Sequence, residues 1–149
     1  MISMPLGEKL WEQTTRPTGQ KVTASEKGIQ EEITFIGEIK GFGRLQGIDG
    51  RIIGTNEISA GKASQGITTG TASGVLALGD EFVSFEAQGL ARFVKQSPRR
   101  AERVVCLFRF MDAPTAPTDF SWMLNVIVLW EADTDPARHI VTATAYEWL

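Results

Sequence analysis

The sequence predicts an all-β domain, a single antiparallel barrel of eight strands, on three observations. From about Ile29 to Leu149 apolar residues recur at every second position. IQEEITFIGEIK places Ile29, Ile33, Phe35 and Ile39 on one side and Gln30, Glu32, Thr34, Glu38 and Lys40 on the other, the period of a half-buried strand. Glycines also fall inside these runs, at Gly37, Gly41, Gly43, Gly54, Gly70, Gly74 and Gly89. Glycine weakens an ordinary strand, whereas a coiled strand turning a barrel corner, or one approached by a ligand or a neighbouring backbone, needs it. The separators, finally, are short and carry turn chemistry, so consecutive strands pair as a meander. Eight strands in one small domain either stack as a sandwich or close, and the glycines favour closure.

Along the chain, a first short strand covers 9–14, and the polar stretch RPTGQKVTASEKG, with Pro17, Gly19 and Gly28, reads as a loop. Seven runs follow, at 29–43, 51–59, 67–78, 81–94, 102–111, 121–132 and 139–148. Asp49-Gly50 and Gly79-Asp80 suit tight hairpin turns, while Pro114, Pro117 and Pro136 are kept out of central strands. The strand share is high for any domain, so run ends are expected to shrink by about two residues. In the run from Glu81, the residues Val83, Phe85, Ala87, Gly89, Ala91 and Phe93 share a face that is large at both ends and small in the middle. Such a wall leaves space at mid-height unless aromatics from opposite strands fill it.

WMLNVIVLW, at 122–130, breaks the alternation because it is apolar on both parities. Its outer side would expose Leu124, Val126 and Val128, or else Met123, Ile127 and Leu129. Either the segment around Leu10 and Trp11 covers it or a second subunit does, and self-association into a homo-oligomer is the expectation.

Composition bounds the function. The 149 residues, 42% hydrophobic and without low-complexity tracts, fit one domain spanning 1–149. A net charge of −3, with the fifteen basic residues scattered, lacks the concentrated basic surface that nucleic acid requires. MISMPLGEKLWEQ lacks the basic flank and apolar run of a secretory signal, and no segment approaches the roughly 20 apolar residues of a membrane helix. The expectation is a cytoplasmic protein with neither a nucleic-acid nor a membrane partner. Cys106 is the one cysteine, which excludes an internal disulfide and a cysteine metal cluster; within VVCLFRF it reads as a small buried hydrophobe. His139, the one histidine, falls at a strand end and cannot build a multi-histidine metal site. TTGTASG lacks the helix and lysine of a phosphate loop and reads as glycine-rich strand. No cofactor is called for.

The glycine-punctuated EEITFIGEIKGFG, the pair GTASGVLAL and EFVSFEAQGLARF, the opening GEKL and the closing YEWL resemble a group of small uncharacterised bacterial proteins. These in turn are similar to the allene oxide cyclase type of barrel. The resemblance implies an eight-stranded antiparallel barrel with a central cavity, often assembled as an oligomer. It implies no catalytic residues, because no cyclase active-site motif stands in this chain, so activity does not transfer.

Candidate ligand-binding residues follow from position. Phe85 and Phe93 bracket the small centre of the fifth strand. Asn125, inside an apolar run, needs a hydrogen-bond partner, either protein or ligand. Arg109 in LFRF could bind a ligand carboxylate or pair with a glutamate. Tyr146 and Glu147 lie on opposite faces, so at most one of them enters the lumen; Tyr146 is a candidate proton donor near a cavity mouth. Glu38 and Glu86 share the parity read as the outer face. Three functions fit: a lumen binding a small apolar ligand; a cofactor-free isomerase or cyclase, which requires Arg109, Asn125 or Tyr146 to converge in one cavity; and a structural oligomerisation module.

Overall fold

The computed structural model describes residues 6–61, 66–95, 101–111 and 119–149. Eight strands, β1 (Leu6–Ser25), β2 (Gly28–Gly41), β3 (Asp49–Gly61), β4 (Ile67–Leu78), β5 (Glu81–Lys95), β6 (Ala101–Met111), β7 (Ile127–Asp135) and β8 (Ile140–Trp148), form a closed barrel in sequence order. Each is antiparallel to the next, and β1 closes on β8 from Leu6↔Trp148 to Thr15↔Val141. The all-β, eight-stranded antiparallel barrel expected from the sequence is therefore present.

Inward faces follow the predicted alternation. Phe35 and Ile39 on β2, Val83, Phe85 and Ala87 on β5, Phe108 and Phe110 on β6 and Val128 and Trp130 on β7 are all buried. Glu38 and Glu86 lie on the exposed side. Gly79, with φ +61°, and Asp80 make the two-residue turn between β4 and β5, with glycine at the first central position as a II′ turn requires.

Three sequence readings are corrected. The stretch 16–25 is strand, not loop: β1 runs 20 residues and pairs with β2 as far as Ser25↔Gly28. Pro17 and Gly19 mark a bulge in it. The last pair of β1 with β8 is Thr15↔Val141, so Pro17 lies where β1 has become an edge, a place where the missing N–H costs nothing. Asp49-Gly50 opens β3, with Asp49 opposite Lys40; the chain reverses earlier, through Gly43 and Gly47, both at positive φ. Run ends do not shrink overall, since β3 extends to Gly61. Pro114 and Pro117 lie outside the described residues, and Pro136 sits in the β7–β8 turn.

The run WMLNVIVLW splits. Ser121–Asn125 is a 3-10 turn and the strand begins at Ile127. Its double-sided apolarity has a local cause: Met123 is fully buried at the foot of the barrel, and Trp122, Leu124 and Val126 pack against the core. A second 3-10 turn, Gly43–Leu45, buries Leu45 at the same end, and the Arg44 guanidinium stacks 4.8 Å from the Trp122 ring, joining the two turns. Leu10 and Trp11, rather than covering β7 from outside, are fully buried in the core. Ile127 and Leu129 keep the outer side of β7 apolar.

The interior glycines are explained by close approach. Gly54 on β3 sits opposite Gly74 on β4 and Phe35 on β2. A β-carbon at Gly54 would lie 2.6 Å from the Ser73 carbonyl oxygen and 2.8 Å from the Phe35 ring. The Phe35 ring occupies the volume that a side chain there would take, which lets the wall coil tightly. Gly54→Ala should therefore lower stability by about 2 kcal/mol, the cost of overpacking a site backed by backbone, read as a lower urea midpoint with an unchanged slope.

Candidate functional site

The barrel interior divides into a filled half and a hollow half. Toward the end sealed by the two 3-10 turns, five aromatic rings fill it around Phe108. Phe85 stacks on Phe108 at 5.1 Å, Trp130 lies 5.7 Å away, and Trp11 meets Phe108 edge-on at 6.0 Å and Phe110 at 6.1 Å. Toward the other end the inward residues of β4 and β5 become small: Gly70 and Ala72, then Ala87, Gly89 and Ala91. A cavity of about 270 Å³ results. Phe35, Ile52, Phe108 and Trp130 line its deep part, and Ile33, Ile58, Val104 and Val141 its walls. Glu31, Glu102 and Thr134 lie toward the rim, where the Thr134 hydroxyl accepts the Glu102 N–H at 2.7 Å.

The floor is not wholly apolar. The Gln13 side-chain carbonyl accepts two indole N–H groups, from Trp11 at 3.0 Å and from Trp130 at 3.2 Å, and its amide donates to the Thr15 hydroxyl at 2.7 Å. Gln13, Thr15 and Thr68, the last from β4, are the buried polar residues among those described. Alternation along β1 puts Trp11, Gln13 and Thr15 on one face, so a single strand delivers the whole chain of hydrogen bonds. Cys106 also lines the cavity; burial pushes its thiol up to about 12, so it stays protonated and unreactive at neutral pH, in keeping with the small-hydrophobe reading. Gly89, opposite Cys106, has no side chain to contest the space its sulfur occupies.

None of the five residues singled out from the sequence lines this cavity. Phe85 lies beneath the floor, fully buried against Phe108. Phe93 is half-buried near the end of β5, its backbone N–H donated to the Gly66 carbonyl at 2.8 Å. Arg109 is exposed on the outer wall with its guanidinium 3.6 Å from Glu86, the pairing alternative. Asn125 ends the 3-10 turn in an exposed position rather than standing in a strand. Tyr146 alternates with the buried Ala143 and Ala145 and so faces outward, beside Leu129. Arg109, Asn125 and Tyr146 do not converge, and the condition set for the isomerase reading is not met. The signal for Gln13 and Thr15 was present: both share the parity of Trp11 in WEQTT, but a strand that short gave no reason to look for a site on it.

A second concavity, on the outer wall across β7, β8, β1, β2 and β3, is a broad solvent-open saddle lined by Glu12, Glu38, Lys40, Arg51, Glu131 and Asp133. Its ion pairs, such as Lys9–Glu12 at 2.8 Å and Arg103–Asp133 at 3.2 Å, are surface pairs in high-dielectric surroundings. The lumen is the candidate site because it combines enclosure, apolar walls and buried polar groups.

Gln13→Leu should cost about 2–4 kcal/mol in urea unfolding, because it leaves two buried indole N–H groups without an acceptor. Gln13→Glu retains an acceptor for both indoles but loses the donor to Thr15.

No protein-family model and no curated protein matches the chain. Among solved structures it is similar to a protein of unknown function from Clostridium acetobutylicum ATCC 824, with a TM-score of 0.71 and 15% sequence identity over 95% of this chain and 98% of that one. At that identity the likeness establishes a shared barrel fold and nothing further.

Proposed function

We propose that the barrel binds a small, largely apolar molecule in its lumen. The observation carrying this reading is the cavity of about 270 Å³ above the Phe108–Trp130 floor, where the small face of β5 leaves the barrel unfilled. A dry cavity of about 150 Å³ holds a benzene ring, so this space suits a ligand of about a dozen non-hydrogen atoms. The isomerase or cyclase alternative is set aside, since its candidate polar groups lie outside the cavity. Apolar side chains and small residues line the inside, while Glu12, Glu38, Lys40 and Arg51 stand outside on the flank from β7 to β3. Among the described residues no helix is long and apolar enough to cross a membrane.

Naphthalene is a suitable probe because Trp130, the chain's tryptophan in the cavity lining, reports on it. Titration should give saturable one-to-one quenching of tryptophan fluorescence, and Ala91→Trp, which fills the mouth, should weaken it at least tenfold. Absence of saturable binding in the wild type refutes the reading.

Self-association is a second reading, favoured by a different observation. Leu90, Val105, Leu107, Ile127 and Trp148 are exposed along adjacent outer faces of β5 to β8, with Leu129 half-buried among them. A contiguous apolar band of this kind is uncommon on a monomer. Light scattering at micromolar concentration should report a multiple of 16.3 kDa, and Leu107→Glu should return the particle to the monomer mass.

A further inference from the structure

The floor of the lumen has a hydrogen-bonding polarity that can be deduced from its members. An indole N–H only donates, so the two that converge on Gln13 fix its side-chain oxygen toward Trp11 and Trp130 and its nitrogen toward Thr15. An amide nitrogen does not accept, so at 2.7 Å the Thr15 oxygen must be the acceptor. The Thr15 hydroxyl proton then points elsewhere, and it finds no acceptor among the described residues. Thr15 is 7% exposed and lines the cavity. A buried hydroxyl that has accepted once has a donor left to offer.

Building on the lumen-binding reading, we infer that the ligand carries a neutral oxygen acceptor, a ketone, ester or ether oxygen, which takes the Thr15 O–H beside the Trp130 ring. Charge narrows the class. Arg16, the one cation among the described lining residues, is exposed, while the carboxylates of Glu31 and Glu102 belong to the same lining. An anionic headgroup would enter an apolar cavity without a buried counterion, at a cost no floor donor offsets. A pure hydrocarbon would leave the Thr15 donor dry and unpaired. An acceptor-bearing neutral molecule satisfies both constraints.

The test uses an isosteric pair, 2-acetylnaphthalene and 2-isopropylnaphthalene, titrated calorimetrically into the full-length protein. Thr15→Val should weaken the ketone about threefold to tenfold and leave the hydrocarbon unchanged, while Thr15→Ser, which keeps the hydroxyl, should retain ketone affinity. The carbonyl stretch of the ketone bound to wild-type protein should fall below its value in hexane, a readout that needs no variant to fold. Equal losses for both probes in Thr15→Val, or a bound carbonyl stretch equal to that in hexane, overturns the donor assignment and leaves lumen binding standing. Failure of both probes to bind the wild type overturns lumen binding and this inference with it.

Discussion

Closure of β1 onto β8 is the constraint on which the remaining structure depends. Every other strand pair joins neighbours in sequence, whereas Leu6↔Trp148 brings together segments from the two ends of the described chain. Ordering a loop of that length costs on the order of 4 kcal/mol of chain entropy before any contact is made. In return the sheet loses most of its edges and acquires an interior whose width is set by its eight strands. That width can be packed solid or left to hold one small molecule. Here one end is packed solid and the opposite end is left unfilled.

The division between the ends is made by side-chain size at fixed inward positions. Phe85, Phe108, Phe110 and Trp130 come from the consecutive strands β5, β6 and β7 and Trp11 reaches them across the interior from β1, while Leu45 and Met123 rise from the 3-10 turns to seal the foot. Above them Gly70, Ala72, Ala87, Gly89 and Ala91 lie on adjacent strands β4 and β5, so their missing volume is shared and becomes one space rather than scattered voids. Gln13 stands at the boundary. Both indole N–H groups need an acceptor once they are dry, and one amide oxygen serves the two. Satisfying the aromatic half thereby orients the polar group that faces the hollow half.

The outer wall is also divided. Across β7 to β3, by way of β8 and β1, it carries the charged saddle; from β5 to the outer edge of β8 it carries the apolar band. The β1–β2 ribbon runs beyond the last β1–β8 pair, to Ser25↔Gly28, and its residues 16–25 are exposed. The barrel thus presents a lumen, a polar flank and an apolar flank as separate surfaces, and a substitution on one need not disturb the others.

By itself the sequence determined the strand count, the meander order and the inward parity of β2 and β5, because a two-residue period is local and survives without knowledge of neighbours. It also led to the Gly79-Asp80 turn, where a short-range backbone requirement has a residue signature. Three features were decided only by tertiary structure. Residues 16–25 became strand because β2 continues opposite them, although their own composition reads as loop. Trp122 to Asn125 became a plug because the foot of a closed barrel must be filled, which no linear pattern expresses. The cavity is lined by the small face of β5 together with Gln13 and Thr15 and not by Phe85, Phe93, Arg109, Asn125 or Tyr146, since a cavity is what eight walls leave unfilled. One strand's parity shows which side chains point inward, and only the seven others show which of those meet another side chain and which meet empty space.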